Sequence, residues 1–139
     1  MTADTTTTTP AGALSAQSLE ASLTVSDLRR SIAWYRDALG FAVDREFNRG
    51  DQLFAASLRA GSVRILLTQD DGAKGLDRKK GEGISLQITT GQDIDAIAAR
   101  ATQAGAHLET EPADRHGVRF CRLRDPDGFL LVFSSPREA

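Results

Sequence analysis

Residues 22–40, SLTVSDLRRSIAWYRDALG, set out a pattern that returns at residues 85–105, SLQITTGQDIDAIAARATQAG. Each copy begins with alternating apolar and polar residues, typical of a strand with one buried face, and continues into an amphipathic helical stripe. A glycine that can take the left-handed stop ends each copy, Gly40 in the first and Gly105 in the second. A repeat of this size indicates a pseudo-symmetric fold, in which a cleft between two similar halves is a natural ligand site.

The first copy extends into a larger unit on both sides. Alternation begins near Leu19, so we expect Leu19 and Leu23 to share the core-facing side of a strand. Ser26 is placed to cap the helix that follows. Three further strands are predicted over 41–47, 52–59 and 62–69, with turn residues between them. The helical stripe consists of Leu28, Ile32, Tyr35 and Leu39.

The second copy repeats this order. Its first strand and helix are followed by predicted strands near 106–111, 118–124 and 129–134. The segment Asp125-Pro126-Asp127-Gly128 has the residues of a type I turn and is expected to set the register of the last hairpin. Residues 1–17 have no apolar periodicity and are expected to form a disordered tail. The rest of the chain divides into a first module (18–69), a glycine-rich, charged linker (70–83) and a second module (84–135).

Composition narrows the functional classes. A length of 139 residues suits one domain or two fused small modules, and 40% hydrophobic residues can form a real core. A net charge of −2 does not favour a nucleic-acid partner, and no apolar run approaches the roughly 20 residues of a membrane span. The N-terminus lacks the pattern of a secretory signal. A single cysteine, Cys121, excludes an intrachain disulfide and fits a reducing cytoplasm.

Three segments together resemble the vicinal oxygen chelate superfamily, which includes glyoxalase I, bleomycin resistance proteins and extradiol dioxygenases. The resemblance covers roughly residues 19–135 and implies an α+β fold of two βαβββ modules in tandem, whose curved mixed sheets enclose a cleft. It also implies a homodimer, in some members with the cleft shared between subunits. The segments are Val25-Ser26-Asp27-Leu28 followed by Ser31, Trp34-Tyr35 and Leu39-Gly40-Phe41; Asp93-Ile94-Asp95 leading to Ala104-Gly105; and His116-Gly117-Val118-Arg119-Phe120 with Asp125-Pro126-Asp127-Gly128.

Metal-dependent members of that superfamily use His, Gln or Glu side chains from four strands to hold one divalent ion. The matching positions here are Glu20, Ser85 (or Gly83 if the strands slide by two), Val132 and Gln69, the last in a register that the sequence leaves open. A catalytic divalent ion usually takes about three protein ligands. We therefore expect no metal cofactor, and a divalent metal on Glu20 and Gln69 is the alternative.

Other candidate groups are few. His116 is expected in a loop at the mouth of the cleft, and His107 at the surface. Cys121 has no activating partner nearby in the sequence, which favours a buried structural thiol. Arg122 and Arg124 are expected to share one face of a strand while Arg119 takes the other.

These patterns predict a small-molecule binding or sequestration protein of the bleomycin-resistance type that uses no metal. A metal-dependent lyase or dioxygenase of the glyoxalase type is the alternative, and a dimerising module without a ligand is a third possibility. The sequence leaves open whether any reaction is catalysed. The residues expected to line the inter-module cleft are Glu20, Ser22, Thr24, Ser85, Gln87, His116 and Val132.

Overall fold

Both copies of the repeat form the predicted βαβββ modules. The computed structural model describes residues 11–137, so most of the predicted tail, residues 1–10, lies outside the described residues. Module 1 contains β1 (Ala21–Val25), α1 (Leu28–Trp34) continued by a π-helical turn (Tyr35–Leu39), β2 (Ala42–Arg49), β3 (Gln52–Ala60) and β4 (Val63–Gln69). Module 2 contains β5 (Ser85–Thr89), α2 (Ile94–Gln103), β6 (Leu108–Arg115), β7 (Val118–Arg124) and β8 (Leu130–Pro136).

Each module has its own four-stranded mixed sheet. The strand orders are β1-β4-β3-β2 and β5-β8-β7-β6, with the first strand of each module parallel to the last and the other pairs antiparallel. This arrangement confirms the α+β fold of two tandem modules. The strands β1 and β5 are outer edges of separate sheets, so the two sheets do not join by hydrogen bonds.

Several predicted boundaries are wrong at their ends. The strand β1 begins at Ala21, which leaves the Leu19 side chain 95% exposed instead of facing the core. The helix α1 is capped by Asp27, whose carboxylate accepts a hydrogen bond from the Arg30 backbone N–H, and the predicted cap Ser26 lies one residue too early. The strand β6 covers Leu108–Arg115 because bulges interrupt its pairing with β7 and extend the segment.

The π-helical turn explains a difference in length between the two copies. Gly40 follows Asp27 by 13 residues, whereas Gly105 follows Asp93 by 12. A π-helical turn accommodates an additional residue without ending the helix. The predicted continuous helix in module 1 is therefore an α-helix with an inserted π-helical turn, and this turn presents Tyr35 to module 2.

The helices of both modules pack into one continuous core. Each helix covers one side of its own sheet, and α2 packs against the π-helical turn of module 1. Burying apolar surface from both modules in one cluster stabilises them as a unit. The fully buried members include Val25, Leu28, Leu58 and Leu67 from module 1, and Ile94, Ala101, Leu123 and Leu131 from module 2.

Buried hydrogen bonds also join the two modules. The Tyr35 hydroxyl donates to Asp125 Oδ2 at 2.7 Å, while Asp125 Oδ1 accepts from the backbone N–H groups of Asp127 and Phe129. The Asp127 carboxylate accepts from the Ser26 backbone N–H of module 1. The turn therefore does more than set the register of its hairpin, because both of its aspartates hold module 1.

Arg100 provides a second link between the modules. From α2 its guanidinium donates to the backbone carbonyls of Asp37 at 3.2 Å and Arg36 at 3.3 Å. These carbonyls lie at the end of the helix, where backbone acceptors lack helical partners. Gly40, with φ of 84°, permits this approach, because a Cβ there would lie 2.9 Å from an Arg100 nitrogen.

A buried ion pair within the linker joins Lys80 to the linker's first residue, Asp70, which directly follows β4. Lys80 Nζ lies 2.6 Å from Asp70 Oδ2, and both side chains are buried. The hydrogen bond from Lys80, together with one from the Gly72 backbone N–H, lowers the pKa of Asp70. Among residues 11–137, no helix has the length and apolar character needed to cross a bilayer.

Candidate functional site

The side of each sheet away from its helix carries most of the predicted site residues. We call this side the helix-free face. In β1, Leu23 and Val25 face the core, so alternation places Ser22 and Thr24 on the helix-free face. In β5, Leu86 and Ile88 pack against the core, and Ser85 and Gln87 lie on the opposite side.

Strand register arranges the helix-free face of module 1 in cross-strand rows, two of which begin in β1. Residues paired across neighbouring strands lie on the same side of the sheet. The rows combine hydroxyl groups near β1 with arginine and phenylalanine near β2. The rows are Ser22, Leu66, Ser57 and Arg45, and Thr24, Thr68, Ala55 and Phe47.

On the helix-free face of module 2, three such rows begin in β5. Phe120, Leu130 and Val132 form a small buried apolar cluster there, separate from the main core. Beside it, the amide of Gln87 donates to the Ser85 hydroxyl at 2.9 Å. The rows are Ser85, Leu130 and Arg124; Gln87, Val132, Arg122 and Thr110; and Thr89, Ser134, Phe120 and Ala113.

The face of module 2 thus combines an apolar patch with exposed polar groups and a guanidinium. The Arg122 Nε is enclosed and has no hydrogen-bond partner among the described residues. Its Nη2 lies 3.7 Å from Glu109 Oε2, beyond hydrogen-bond distance, whereas Arg124 Nε donates to Glu109 Oε1 at 2.8 Å. The predicted division of arginines is confirmed, because Arg119 lies on the helix side and pairs with Asp95 of α2.

The four positions matched to a metal site do not offer a suitable donor set. Glu20 precedes β1, and the Gln69 amide is already bonded to backbone groups: it accepts from Leu28 N–H and donates to the carbonyls of Ser26 and Asp70. Ser85 offers only a hydroxyl and Val132 offers no donor. Within residues 11–137, no group of three or more His, Cys, Asp or Glu side chains is placed to hold a metal ion. These residues do not fit a catalytic divalent centre.

The remaining titratable candidates are structural or peripheral. His116 lies in the turn between β6 and β7 with φ of 52°, and it is exposed, as is His107. Cys121 is fully buried on the helix side, and burial raises the pKa of its thiol to about 11. The thiol therefore stays protonated at neutral pH and is a poor nucleophile.

A groove of about 950 Å³ separates the modules at one end of the helix layer. It is lined by the end of the π-helical turn, the β3–β4 turn, the start of α2, and side chains such as Phe41, Ile88 and Phe133. None of the predicted cleft residues lines it. Five of the seven lie instead on the two helix-free faces, Ser22 and Thr24 on one and Ser85, Gln87 and Val132 on the other. Glu20 precedes β1, and His116 lies in the turn between β6 and β7.

Sequence reasoning missed a set of arginine–phenylalanine stacks on the helix-free faces. The spacing of Arg45 and Phe47, two residues apart on one strand, was a usable signal. Phe54 was not predictable, because a bulge at this position in β3 turns it toward Phe47. The distances from guanidinium carbon to ring centre are 5.1 Å for Arg45 and Phe47, 4.5 Å for Arg49 and Phe54, and 5.5 Å for Arg115 and Phe120.

Comparison with known proteins agrees with this architecture. The chain is 28% identical over 117 residues to the virulence protein STM3117 of Salmonella typhimurium, covering 81% of this chain and 78% of that protein. An antibiotic binding protein, TnmS3 from Streptomyces sp. CB03234, superposes with a TM-score of 0.69 at 20% identity, covering 87% of this chain and 96% of that one. A mutant glyoxalase I from Zea mays gives a TM-score of 0.72 at 23% identity, over 86% of this chain and 44% of the maize chain.

The family model of these proteins matches residues 17–133, which include both modules and the linker between them. The match confirms the resemblance first read from the repeat and from the Asp125–Gly128 turn. The chain belongs to the Glyoxalase/Bleomycin resistance protein/Dioxygenase superfamily.

Proposed function

We propose that this protein binds a small molecule on its helix-free faces and sequesters it without a metal cofactor. The observation that carries the proposal is the face of module 2, where Gln87, Ser85 and Arg122 surround the apolar cluster of Phe120, Leu130 and Val132. Small-molecule sites typically combine an apolar lining with a few polar groups that orient the ligand. The single buried Cys121 fits the cytoplasm as its location.

The donor chemistry supports binding in preference to metal-assisted catalysis. Hydroxyl and amide groups such as Ser22, Thr24 and Gln87 orient a ligand through hydrogen bonds but are weak ligands for a catalytic divalent ion. The antibiotic-binding function stated for TnmS3 supports sequestration as the activity of this fold.

We further propose that the protein acts as a homodimer whose second copy covers the helix-free faces. Within one chain, both faces lie away from the shared helical core. Several of their polar residues are exposed, namely Ser22, Arg45, Ser85, Gln87 and Arg124. The segment before β1 also presents Leu14 and Leu19 with 89% and 95% of their surfaces exposed. Apolar side chains left in water next to an edge strand favour association with another chain.

If the second copy covers this surface, Leu19 should contribute to the dimer interface. We expect light scattering after size exclusion to give twice the chain mass, and Leu19→Asp to shift the protein toward monomer by at least about tenfold in dissociation constant. Leu19 is 95% exposed and does not belong to the core, so the circular dichroism spectrum and the stability of the monomer should be unchanged. Lys79→Gln, at an exposed position in the linker, is the control. A monomeric parent protein at high concentration would contradict the dimer.

Ligand binding is tested by NMR and calorimetry with a panel of small natural-product-like molecules. We expect shift changes at the helix-free residues of β1, β4, β5, β7 and β8, and not on α2. Gln87→Leu should weaken binding of a polar ligand roughly fivefold, because one hydrogen bond contributes about 1 kcal/mol. Gln92→Leu, exposed in the β5–α2 connection, is the matched control.

Two outcomes would contradict the proposal. Absence of binding across the panel would argue for a module without a ligand. A stoichiometric divalent ion, measured by elemental analysis of protein purified without chelator, would instead favour the metal-dependent alternative.

A further inference from the structure

The helix-free faces carry an unusual pairing of side chains for a surface open to solvent. On module 2 the Arg115 guanidinium stacks over the Phe120 ring, and Arg122 follows Phe120 by two residues on the same side of β7. Two further stacks, Arg45 on Phe47 and Arg49 on Phe54, occupy module 1. The arginine guanidinium is planar and weakly hydrated. Another planar group can therefore replace it on the phenylalanine ring, or can stack on the outer side of the guanidinium.

Charge on these faces has the opposite sign to that of the whole chain. The net charge is −2, yet within residues 11–137 the carboxylates that pair with the face arginines are Asp44 and Glu109. Even with Glu20 added, arginines outnumber carboxylates on this surface. The arginines are Arg45, Arg49, Arg59, Arg64, Arg115, Arg122 and Arg124.

Arg122 is an arginine of this face with an enclosed donor that no described residue satisfies. Its Nε has no partner among the described residues, and its Nη2 forms only a 3.7 Å ion pair with Glu109 Oε2, while Glu109 Oε1 accepts a hydrogen bond from Arg124. Arg119, on the same strand but the opposite side, shows the contrast, since it donates to both Asp95 and Asp114. A guanidinium left with free donors beside an apolar patch is suited to bind a carboxylate or another oxyanion.

The distance between Phe120 and Arg122 indicates the size of the ligand. Phe120 and Arg122 are two residues apart on one strand, which separates their Cα atoms by about 7 Å. Leu130 and Val132 fill the floor beside them. Because Phe120 is only 9% exposed beneath Arg115, a flat ring system can lie on the Arg115 guanidinium or take its place on the Phe120 ring, while an acidic substituent reaches Arg122.

We propose that the ligand of this face is an aromatic acid, a planar ring system bearing a carboxylate or similar oxyanion, with Phe120 and Arg115 receiving the ring and Arg122 the anion. The inference rests on the proposed binding function and names the chemical class of the ligand. It assigns Arg122 as the specificity-determining residue.

Four matched probes test the assignment on the full chain by calorimetry, with NMR to locate the site. The probes are 2-naphthoate, protonated 2-naphthylmethylamine, neutral 2-naphthol and cyclohexanecarboxylate. We expect 2-naphthoate to bind at least about tenfold more tightly than each of the others, because it alone satisfies both the stacking and the charged contact. Its affinity should fall in about 0.5 M NaCl, where ionic interactions are screened.

Variants separate the role of Arg122 from general charge. Arg122→Gln should weaken 2-naphthoate about tenfold and leave 2-naphthol within about twofold, since only the naphthoate loses an ionic hydrogen bond. Arg119→Gln removes the same charge from the same strand on the helix side and should leave both affinities unchanged. An unchanged 2-naphthoate affinity in Arg122→Gln would overturn the assignment.

The outcomes also distinguish this inference from the proposed function. Tighter binding of the ammonium or the neutral probe on the same face would overturn the anionic ligand class while leaving small-molecule binding intact. Failure of all four probes overturns the aromatic acid, and failure of the wider panel as well overturns the binding function itself.

Discussion

Asp125→Ala is expected to lower the free energy of unfolding by about 3 kcal/mol, because three donors lose their acceptor in a buried position. These donors are the Tyr35 hydroxyl and the backbone N–H groups of Asp127 and Phe129. The Asp125 side chain is also the contact through which the last hairpin holds the helix of module 1. Urea denaturation followed by circular dichroism measures the loss.

A conservative change at the same residue isolates the contribution of its charge. Asp125→Asn keeps an acceptor for the backbone donors, so its loss should be about 1 kcal/mol. Burial raises the pKa of Asp125, so the folded protein binds the proton of this carboxyl group more tightly than the unfolded chain does. The protonated Asp125 carboxyl group therefore contributes to the free energy of unfolding at pH values below its pKa in the unfolded chain, and this contribution is lost as the pH rises through its pKa in the folded protein. The deficit of Asp125→Asn should therefore be largest near the acidic end and shrink toward neutral pH.

Tyr35, the hydrogen-bond partner of Asp125, supplies the control for this prediction. Tyr35→Phe should cost about 1 to 2 kcal/mol, and the double variant with Asp125→Ala should lose less than the sum of the single losses, because the two side chains share a hydrogen bond. Additive losses, or an Asp125→Ala variant as stable as the parent, would contradict the role assigned to this contact between modules.

Gly81→Ala is expected to destabilise the protein by about 3 kcal/mol, from a left-handed backbone and a steric clash together. Gly81 has φ of 80°, and a Cβ there would lie 2.6 Å from the Gly128 carbonyl oxygen and 3.0 Å from the Phe129 Cα. Both neighbours are backbone atoms of the turn that contacts module 1. The adjacent Lys80, buried against Asp70, limits how far the linker can move aside.

Gly83→Ala is the matched control for the steric part. Gly83 has φ of 75° but no atom within 4 Å of an added Cβ, so only the backbone strain of about 1 kcal/mol is expected. Thermal and urea unfolding of the two variants measure the difference. Equal losses would show that the linker moves away freely and that its approach to Gly128 contributes no rigidity.

The repeat in residues 22–40 and 85–105 was sufficient to predict the two modules, because apolar alternation and helical stripes are local consequences of which face each residue buries. Ser22, Thr24, Ser85 and Gln87 were placed on one side of their strands for the same reason, and the register confirms it. The position of Arg119 opposite Arg122 follows from the same period of two. These features depend only on neighbours along the chain.

The contacts between the two modules were decided by the tertiary structure. A hydrogen bond between Tyr35 and Asp125, 90 residues apart, depends on how two helices pack and leaves no local pattern. Gln69 could not be assigned from the sequence, because its amide is engaged only once β4 lies beside the start of α1. A bulge in β3 breaks the simple alternation and turns Phe54 toward Phe47. The sequence determined the modules through local periodicity, whereas the surfaces offered to a ligand were fixed by long-range packing and register.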